Sequence, residues 1–215
     1  MQIQYSQLAS LLLDKNLIIG TDECGTGSLA GPLVVCGVKA PKNWSLATLN
    51  DSKKLTEKRR EAARDQLLKL AETQNISYYI TERSSTTIDK FGMAVALKDA
   101  YVEVFHALYE NNSLIISDGT LKFDGLKVDS YPIVSLIKAD AQIPTVMAAS
   151  ILGKTYRDNK MKELDSLFPQ YNWKKNVGYP TKEHKDNINL YGPCDLHRFS
   201  YGPIKNLKLV KWKIY

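Results

Sequence analysis

Three short apolar runs in this chain end on acids. NLIIGT (16–21) leads into Asp22 and Glu23, SLIIS (113–117) into Asp118, and YPIVSLIKA (131–139) into Asp140. Runs of this length, rich in Ile, Leu and Val, read as buried strands. PLVVCGVKAP (32–41) and the β-rich ISYYITER (76–83) extend the set. Between the strands the period changes to that of a helix. TEKRREAARDQLLKLAET (56–73) places Ala63, Leu67 and Leu70 on one face, with Thr56 able to cap its start. Over 88–110, Ala94, Leu97, Tyr101, Val104 and Leu108 recur by threes and fours, which predicts one helix. PTVMAASILGKTYRDNKMKELDSLF (144–168) reads as a long helix with Pro144 near its first turn. Leu8, Leu11 and Leu12 give the N-terminal segment the pattern of a short amphipathic helix. Strands and helices intermixed in this way predict an α/β fold on one central sheet.

Nothing divides the 215 residues, since no repeat, low-complexity block or Pro/Ser-rich linker interrupts them, and a single domain is expected. With 44% apolar and 24% charged residues, the composition excludes a disordered chain. No apolar run approaches the roughly 18 residues of a membrane span, and the N-terminus lacks the pattern of a signal peptide. Cys24, Cys36 and Cys194 are irregularly spaced and fit neither a zinc site nor a disulfide framework. A cytoplasmic location is the expectation. Charge is uneven along the chain. Residues 1–150 carry 16 Lys/Arg against 17 Asp/Glu, whereas 151–215 carry 13 against 6. A basic excess confined to the last third points to a polyanion such as nucleic acid, or to a solvated lysine-rich surface.

The strand-end acids carry the chemistry. A residue just past a buried strand projects from the sheet edge at a defined place, where sites in open α/β sheets are commonly built. One such Asp is explained by turn formation. Three of them with Glu23 alongside, on neighbouring strands, would bring four carboxylates together. Such a cluster repels itself unless a cation sits on it. A hard divalent ion with oxygen ligands is the usual remedy, and two such ions about 4 Å apart serve in-line attack on phosphodiesters. Gly25, Gly27 and Gly31 follow the Asp-Glu pair. They can turn consecutive N–H groups toward a phosphate or sugar hydroxyl, or simply make a tight turn. Their spacing is neither a dinucleotide-binding fingerprint nor a P-loop.

These residues resemble a known family. DECGTGSLAGPLVV, NDSKKLTEKRRE, ISDGT, KADAQIPTVMAASILGKTYRD, VGYPTKEH and LHRFSYGPI occur in the order seen in type 2 ribonucleases H, with ribonuclease HII the most similar pattern, from about residue 17 to 204. The resemblance implies a ribonuclease H-like fold: a mixed sheet flanked by helices, with a core over about 17–168 and a basic helical extension over about 169–215. It implies Mg2+- or Mn2+-dependent cleavage of RNA in RNA–DNA hybrids and of ribonucleotide-containing duplex DNA, 5′ of the ribonucleotide, leaving 3′-hydroxyl and 5′-phosphate ends. Its metal-binding acids match Asp22, Glu23, Asp118 and Asp140. Its glycine loop matches Gly25, Thr26 and Gly27, and its ribose-sensing tyrosine matches Tyr179. Lys53 and Lys54 match a block near the scissile strand; Ser150 and Lys154, four apart on one helix face, are placed to reach a phosphate or lie on a solvated face. His197 and Arg198 match an HR block, where Arg198 either contacts substrate or has a buried structural role. A monomer without a clear sliding-clamp motif is expected.

Two departures stand out. Thr26 occupies a position where most ribonucleases HII carry arginine, and Gly-Thr-Gly looks more like ribonuclease HIII. Pro180 replaces the glycine that usually follows the tyrosine, and it biases Tyr179 toward extended backbone. The alternatives are therefore a ribonuclease HIII-like preference for longer RNA tracts, an unrelated Mg2+-dependent phosphohydrolase, or a non-catalytic nucleic-acid binder. The tail KNLKLVKWKIY reads as a basic edge strand, a segment along the duplex, or a tail folded onto the domain.

Overall fold

The central strand β1 (Leu17–Cys24) pairs antiparallel with β2 (Leu33–Pro41) along its full length. The computed structural model describes residues 5–47, 49, 55–73, 76–123, 126, 128 and 130–207. After β2 come α2 (Glu57–Thr73), β3 (Ser77–Arg83), α3 (Ser85–Phe91) and α4 (Met93–Leu108), with α1 (Tyr5–Leu11) ahead of β1. Strands β4 (Ser113–Asp118) and β5 (Ile133–Leu136) complete a five-stranded sheet of order β3-β2-β1-β4-β5. β1/β4 and β4/β5 are parallel, so the sheet is mixed. A 3-10 turn (Ala139–Ala141) leads into the long α5 (Pro144–Leu167). Then follow a second 3-10 turn (Pro169–Tyr171), α6 (Trp173–Asn176), α7 (Lys182–Tyr191) and α8 (Gly202–Lys205). The α/β class, the mixed sheet and the helical extension agree with the sequence reading. No helix among the described residues is long and apolar enough to cross a membrane.

The chain forms two compact units. The first comprises the chain up to Cys24, Val34–Thr81 and Lys98–Thr155. It contains most of the sheet, and its apolar core has two parts. Ile18, Leu114, Ile116, Val134 and Leu136 pack with Leu8 and with Val146 at the start of α5. Cys36 and Val38 pack with Ala63 and Leu67 of α2 and with Ala148, Ala149, Ile151 and Leu152 of α5. A Cβ on Gly20 would stand 2.3 Å from the backbone of Thr145 and Val146. Only glycine there lets the first turn of α5 lie directly on β1, two residues from Asp22. The second unit comprises Gly25–Leu33, Glu82–Leu97 and the chain from Tyr156 onward. Its core joins Leu29, Ala30, Met161, Tyr171, Trp173 and Ile188.

The structure corrects three local expectations. The helix expected over 88–110 is two helices, because Gly92 (φ 83°) caps α3 and breaks the run. Its buried stripe includes Leu97, Tyr101, Val104 and Leu108, but Ala94 is exposed. The strand expected over 131–139 is confined to Ile133–Leu136, since Lys138 takes a left-handed conformation (φ 61°) and starts the turn bearing Asp140. Asp22 and Glu23 lie within β1 rather than beyond it: they stay paired with Cys36 and Val35 of β2. The β1/β4 ladder nevertheless ends at Thr21 and Ser117, so on that side the acids do stand past the last paired residue.

Candidate active site

The carboxylates belong to the first unit. Asp118 is the last residue of β4, paired with Leu136 of β5. Its Oδ1 accepts from the N–H of Ala139 at 2.7 Å and of Asp140 at 3.4 Å. One acid thus ties down the turn that carries the next. Asp140 itself is 4% exposed. Asp22 accepts from the N–H of Glu23 at 2.8 Å and from the hydroxyl of Ser150 on α5. Glu23 accepts through Oε2 from the hydroxyl of Tyr101, a fully buried residue of α4.

Electrostatics follow from this placement. Burial pushes the Asp22 carboxyl up to about 7, and the neighbouring charges of Glu23 and Asp118 push the same way, against the Ser150 hydrogen bond. Burial and the adjacent Glu23 hold the Tyr101 phenol well above its ordinary range, so it stays a proton-bearing donor. Four carboxylates from β1, β4 and the turn after β5 are a hard oxygen donor set, and a divalent cation would favour the charged form of Asp22 that burial opposes. By donor chemistry and backbone placement they fit such an ion. The side chains meanwhile engage protein donors. Among the described residues, no three His, Cys, Asp or Glu groups are arranged to hold a metal.

The second unit holds the glycine loop and Tyr179. Gly25 has φ 88°, and Thr26 is half-buried while Gly27 is exposed. Tyr179 is half-buried, with its ring 5.5 Å below the Arg157 guanidinium and 3.9 Å from where a Cβ on Gly27 would stand. Its backbone is fixed from both sides, since its N–H donates to Asn176 O at 2.9 Å and its carbonyl accepts from Thr181 N at 2.8 Å.

That carbonyl also faces His184 Nδ1 at 2.9 Å. The Trp173 indole N–H donates to His184 Nε2 at 3.0 Å, which leaves the ring proton on Nδ1 to bond Tyr179. His197 Nδ1 accepts from Cys194 N at 3.0 Å, so its Nε2–H points at His184 Nε2, 3.3 Å away. Accepting from Trp173 and from Cys194 requires an unprotonated nitrogen on each ring, so both histidines are neutral in this network. Burial lowers the pKa of each, and for His197, with the neighbouring His184 adding to the effect, to about 3.

The remaining expected residues are distributed unevenly. Lys53 and Lys54 lie outside the described residues, as does the tail from residue 208 on. Ser150 bonds Asp22, and Lys154 is half-buried one turn further along α5. Arg198 is 0% exposed, with its guanidinium bonded to the carbonyls of Gly25, Thr26 and Gly31. Three residues escaped the sequence reading. Tyr101 occupies a core position of a periodic stripe, and its polar tip is the only hint of more. Arg157 reads as one of several charges on α5, and Tyr201 as a loop aromatic.

The chain is similar to known proteins in sequence and in fold. The Ribonuclease HII family model matches residues 19–203. Ribonuclease HII of Flavobacterium psychrophilum is 38% identical over 211 residues, covering 90% of this chain and 94% of that protein. Ribonuclease HII of Francisella tularensis subsp. novicida is 40% identical over 191 residues, covering 89% and 99%. Ribonuclease H2 from Pyrococcus horikoshii has a similar fold, with TM-score 0.72 at 23% identity over 88% of this chain and 95% of the other. Bst-RNase HIII, solved in complex with Mn2+, has TM-score 0.68 at 20% identity over 94% and 72%. The chain therefore belongs to the ribonuclease HII family and is a ribonuclease H, an enzyme of RNA–DNA hybrids.

Proposed function

We propose that this enzyme hydrolyses the RNA strand of hybrids and also cuts 5′ of a ribonucleotide embedded in duplex DNA, leaving 3′-hydroxyl and 5′-phosphate ends. The observation that carries the chemistry is the acid set Asp22, Glu23, Asp118 and Asp140, ordered by β1, β4 and a turn that Asp118 itself holds. These residues would hold two divalent ions, Mg2+ or Mn2+. Bound there, such ions supply charge stabilisation for in-line displacement and lower the pKa of water. The Mn2+ seen with Bst-RNase HIII supports a divalent ion by likeness of fold.

The residues of this chain do the positioning. Tyr101 holds Glu23 and Ser150 holds Asp22 at fixed places. The loop Gly25–Thr26–Gly27 and Tyr179 select the ribonucleotide. The basic final third binds duplex phosphates, with affinity that falls as salt rises. The enzyme acts as a monomer. Thr26 favours a second reading, a ribonuclease HIII-like preference for longer RNA tracts, because the loop lacks a side-chain cation of its own.

One assay separates the readings. The protein is incubated with Mg2+ or Mn2+ and three labelled duplexes: DNA with one ribonucleotide, an RNA–DNA hybrid, and all-DNA. Cleavage of the first two alone is expected. Cleavage of the hybrid only supports the second reading, and no cleavage of either leaves a nucleic-acid binder.

A further inference from the structure

Arg157 and Arg198 are both fully buried, in one unit, and neither has a carboxylate partner among the described residues. Arg157 donates to the carbonyls of Pro32 (2.8 Å), Val177 (2.9 Å) and Ala30 (3.3 Å) and to the Ser28 hydroxyl (2.8 Å). Arg198 donates to the carbonyls of Gly25 (2.7 Å), Thr26 (3.2 Å) and Gly31 (3.0 Å) and to the Tyr201 hydroxyl (3.2 Å). Every acceptor is neutral. Burial and the nearby Arg157 push the pKa of Arg198 down, but a guanidinium starts so high that it remains charged. Two positive charges therefore stand uncancelled behind one loop. They are close to it: a Cβ on Gly25 would lie 2.2 Å from Arg157 Nε.

The peptide planes convert this into direction. In a trans peptide the C=O and the following N–H point opposite ways, and none of the described peptide bonds is cis. Arg198 draws in the carbonyl of Gly25, so the N–H of Thr26 points away from the guanidinium. Arg198 and the Tyr201 hydroxyl (2.6 Å) draw in the carbonyl of Thr26, so the N–H of Gly27 also points away. Neither N–H has an acceptor among the described residues. Two adjacent unused donors, backed by buried cations, are suited to an anion.

We infer that Arg157 and Arg198 are a charge-supplying positioning pair, which turns the loop carbonyls inward and makes the outward N–H groups of Thr26 and Gly27 a seat for one phosphate of the nucleic-acid strand. The pair puts behind the backbone a charge that the side chain of Thr26 does not supply. The inference rests on the reading of this loop as a substrate contact.

The test measures binding of a labelled ribonucleotide-containing duplex by fluorescence anisotropy without divalent ions, so that it does not depend on cleavage. A series of duplexes carries one neutral methylphosphonate at each position around the ribonucleotide. Arg157→Gln and Arg198→Gln are expected to weaken binding about 10- to 50-fold, and the lysine variants about 3-fold or less, because charge is kept. The deficit of the glutamine variants should vanish at one methylphosphonate position and persist at the others. Lysine variants as weak as the glutamine ones, or a deficit equal at every position, would overturn the inference in favour of a purely structural clamp. If a glutamine variant fails to melt cooperatively, the same scan on the lysine variants and on Tyr201→Phe decides. A loss confined to one phosphate supports the pair, and a uniform loss overturns it. Failure of the wild-type protein to cleave in Mn2+ would count against the proposed function while leaving this binding result intact.

Discussion

Asp22 and Arg198 are both buried ions, yet the protein treats them in opposite ways. Burial lifts the Asp22 carboxyl to about 7, and the charges of Glu23 and Asp118, of its own sign, add to the effect. Around Arg198 the partners are carbonyl dipoles and a hydroxyl, which satisfy its donors without cancelling its charge. The first arrangement is poised to improve when a cation arrives; the second is complete as it stands. A buried acid among acids marks a place built for a ligand's charge. A buried guanidinium among carbonyls marks backbone that must hold one shape, at the cost of desolvating a cation.

The largest effect that would break this contrast is on chemistry. Asp118→Asn and Asp22→Asn should lower single-turnover cleavage in Mg2+ by roughly 1000-fold or more, because the proposed metal site would lose a charged ligand. Near-normal turnover in either variant would remove the acids from the reaction. The same Asp22→Asn change should stabilise the metal-free protein at pH 8 by roughly 1–3 kcal/mol, read as a higher melting temperature, since it deletes a charge the fold disfavours. An equal or lower melting temperature would contradict the raised carboxyl.

Titration sharpens the comparison further, because the two regions respond with opposite sign. The folded pKa of Asp22, about 7, lies above its ordinary 3.8. Between those values the folded state keeps a proton that the unfolded state releases, so this group's contribution improves as pH falls. His184 and His197 have folded values below 6.5, about 3 for His197. Below pH 6.5 the unfolded chain binds protons that the folded histidines refuse, so their contribution is lost as pH falls toward 3. His197 alone should remove on the order of 3 kcal/mol between pH 6.5 and 4. Peptide-resolved hydrogen exchange in metal-free protein should show residues 171–198 losing protection in that window before β1 and β4 do. Uniform loss would mean that the histidine network does not set the acid limit.

Smaller effects test the positioning groups. Tyr101→Phe should reduce kcat about 5- to 50-fold, with a stability change of about 1–2 kcal/mol, because Glu23 loses a charge-assisted hydrogen bond. Unchanged kcat would reduce Tyr101 to packing. Thr26→Arg should tighten duplex binding by only about 2- to 5-fold at low salt, and less at high salt, since an exposed charge is screened. A tightening far larger than this would show that the buried arginines contribute little at the loop.

Much of the fold was legible because its signals are local. The apolar runs at 16–21 and 113–117 and the helical period over 144–168 each stand in consecutive residues; β4 and α5 fall within a residue of expectation, while β1 runs on to Cys24 because β2 stays paired with it. The three-plus-four spacing ran through Gly92, however, where positive φ rather than hydrophobicity ended α3. Legibility of the acid set was of a different kind. Asp22, Glu23, Asp118 and Asp140 were selected as neighbours of strand ends, and the backbone brings them to adjoining strands and one turn. Nothing in the local sequence says that Asp140 follows a left-handed Lys138 instead of ending a strand.

The sequence by itself determined the alternation of strands and helices, the type of chemistry that four clustered acids permit, and the family, because periodicity and motif order are written along the chain. Only the tertiary structure decided what the polar tips meet. Tyr101, Arg157 and Arg198 read as core, surface and ambiguous residues until segments 78, 125 and 173 positions distant supplied Glu23, Pro32 and Gly25 as partners. A hydrogen bond is directional and short, so its partner depends on where the fold brings distant backbone, which no local pattern encodes.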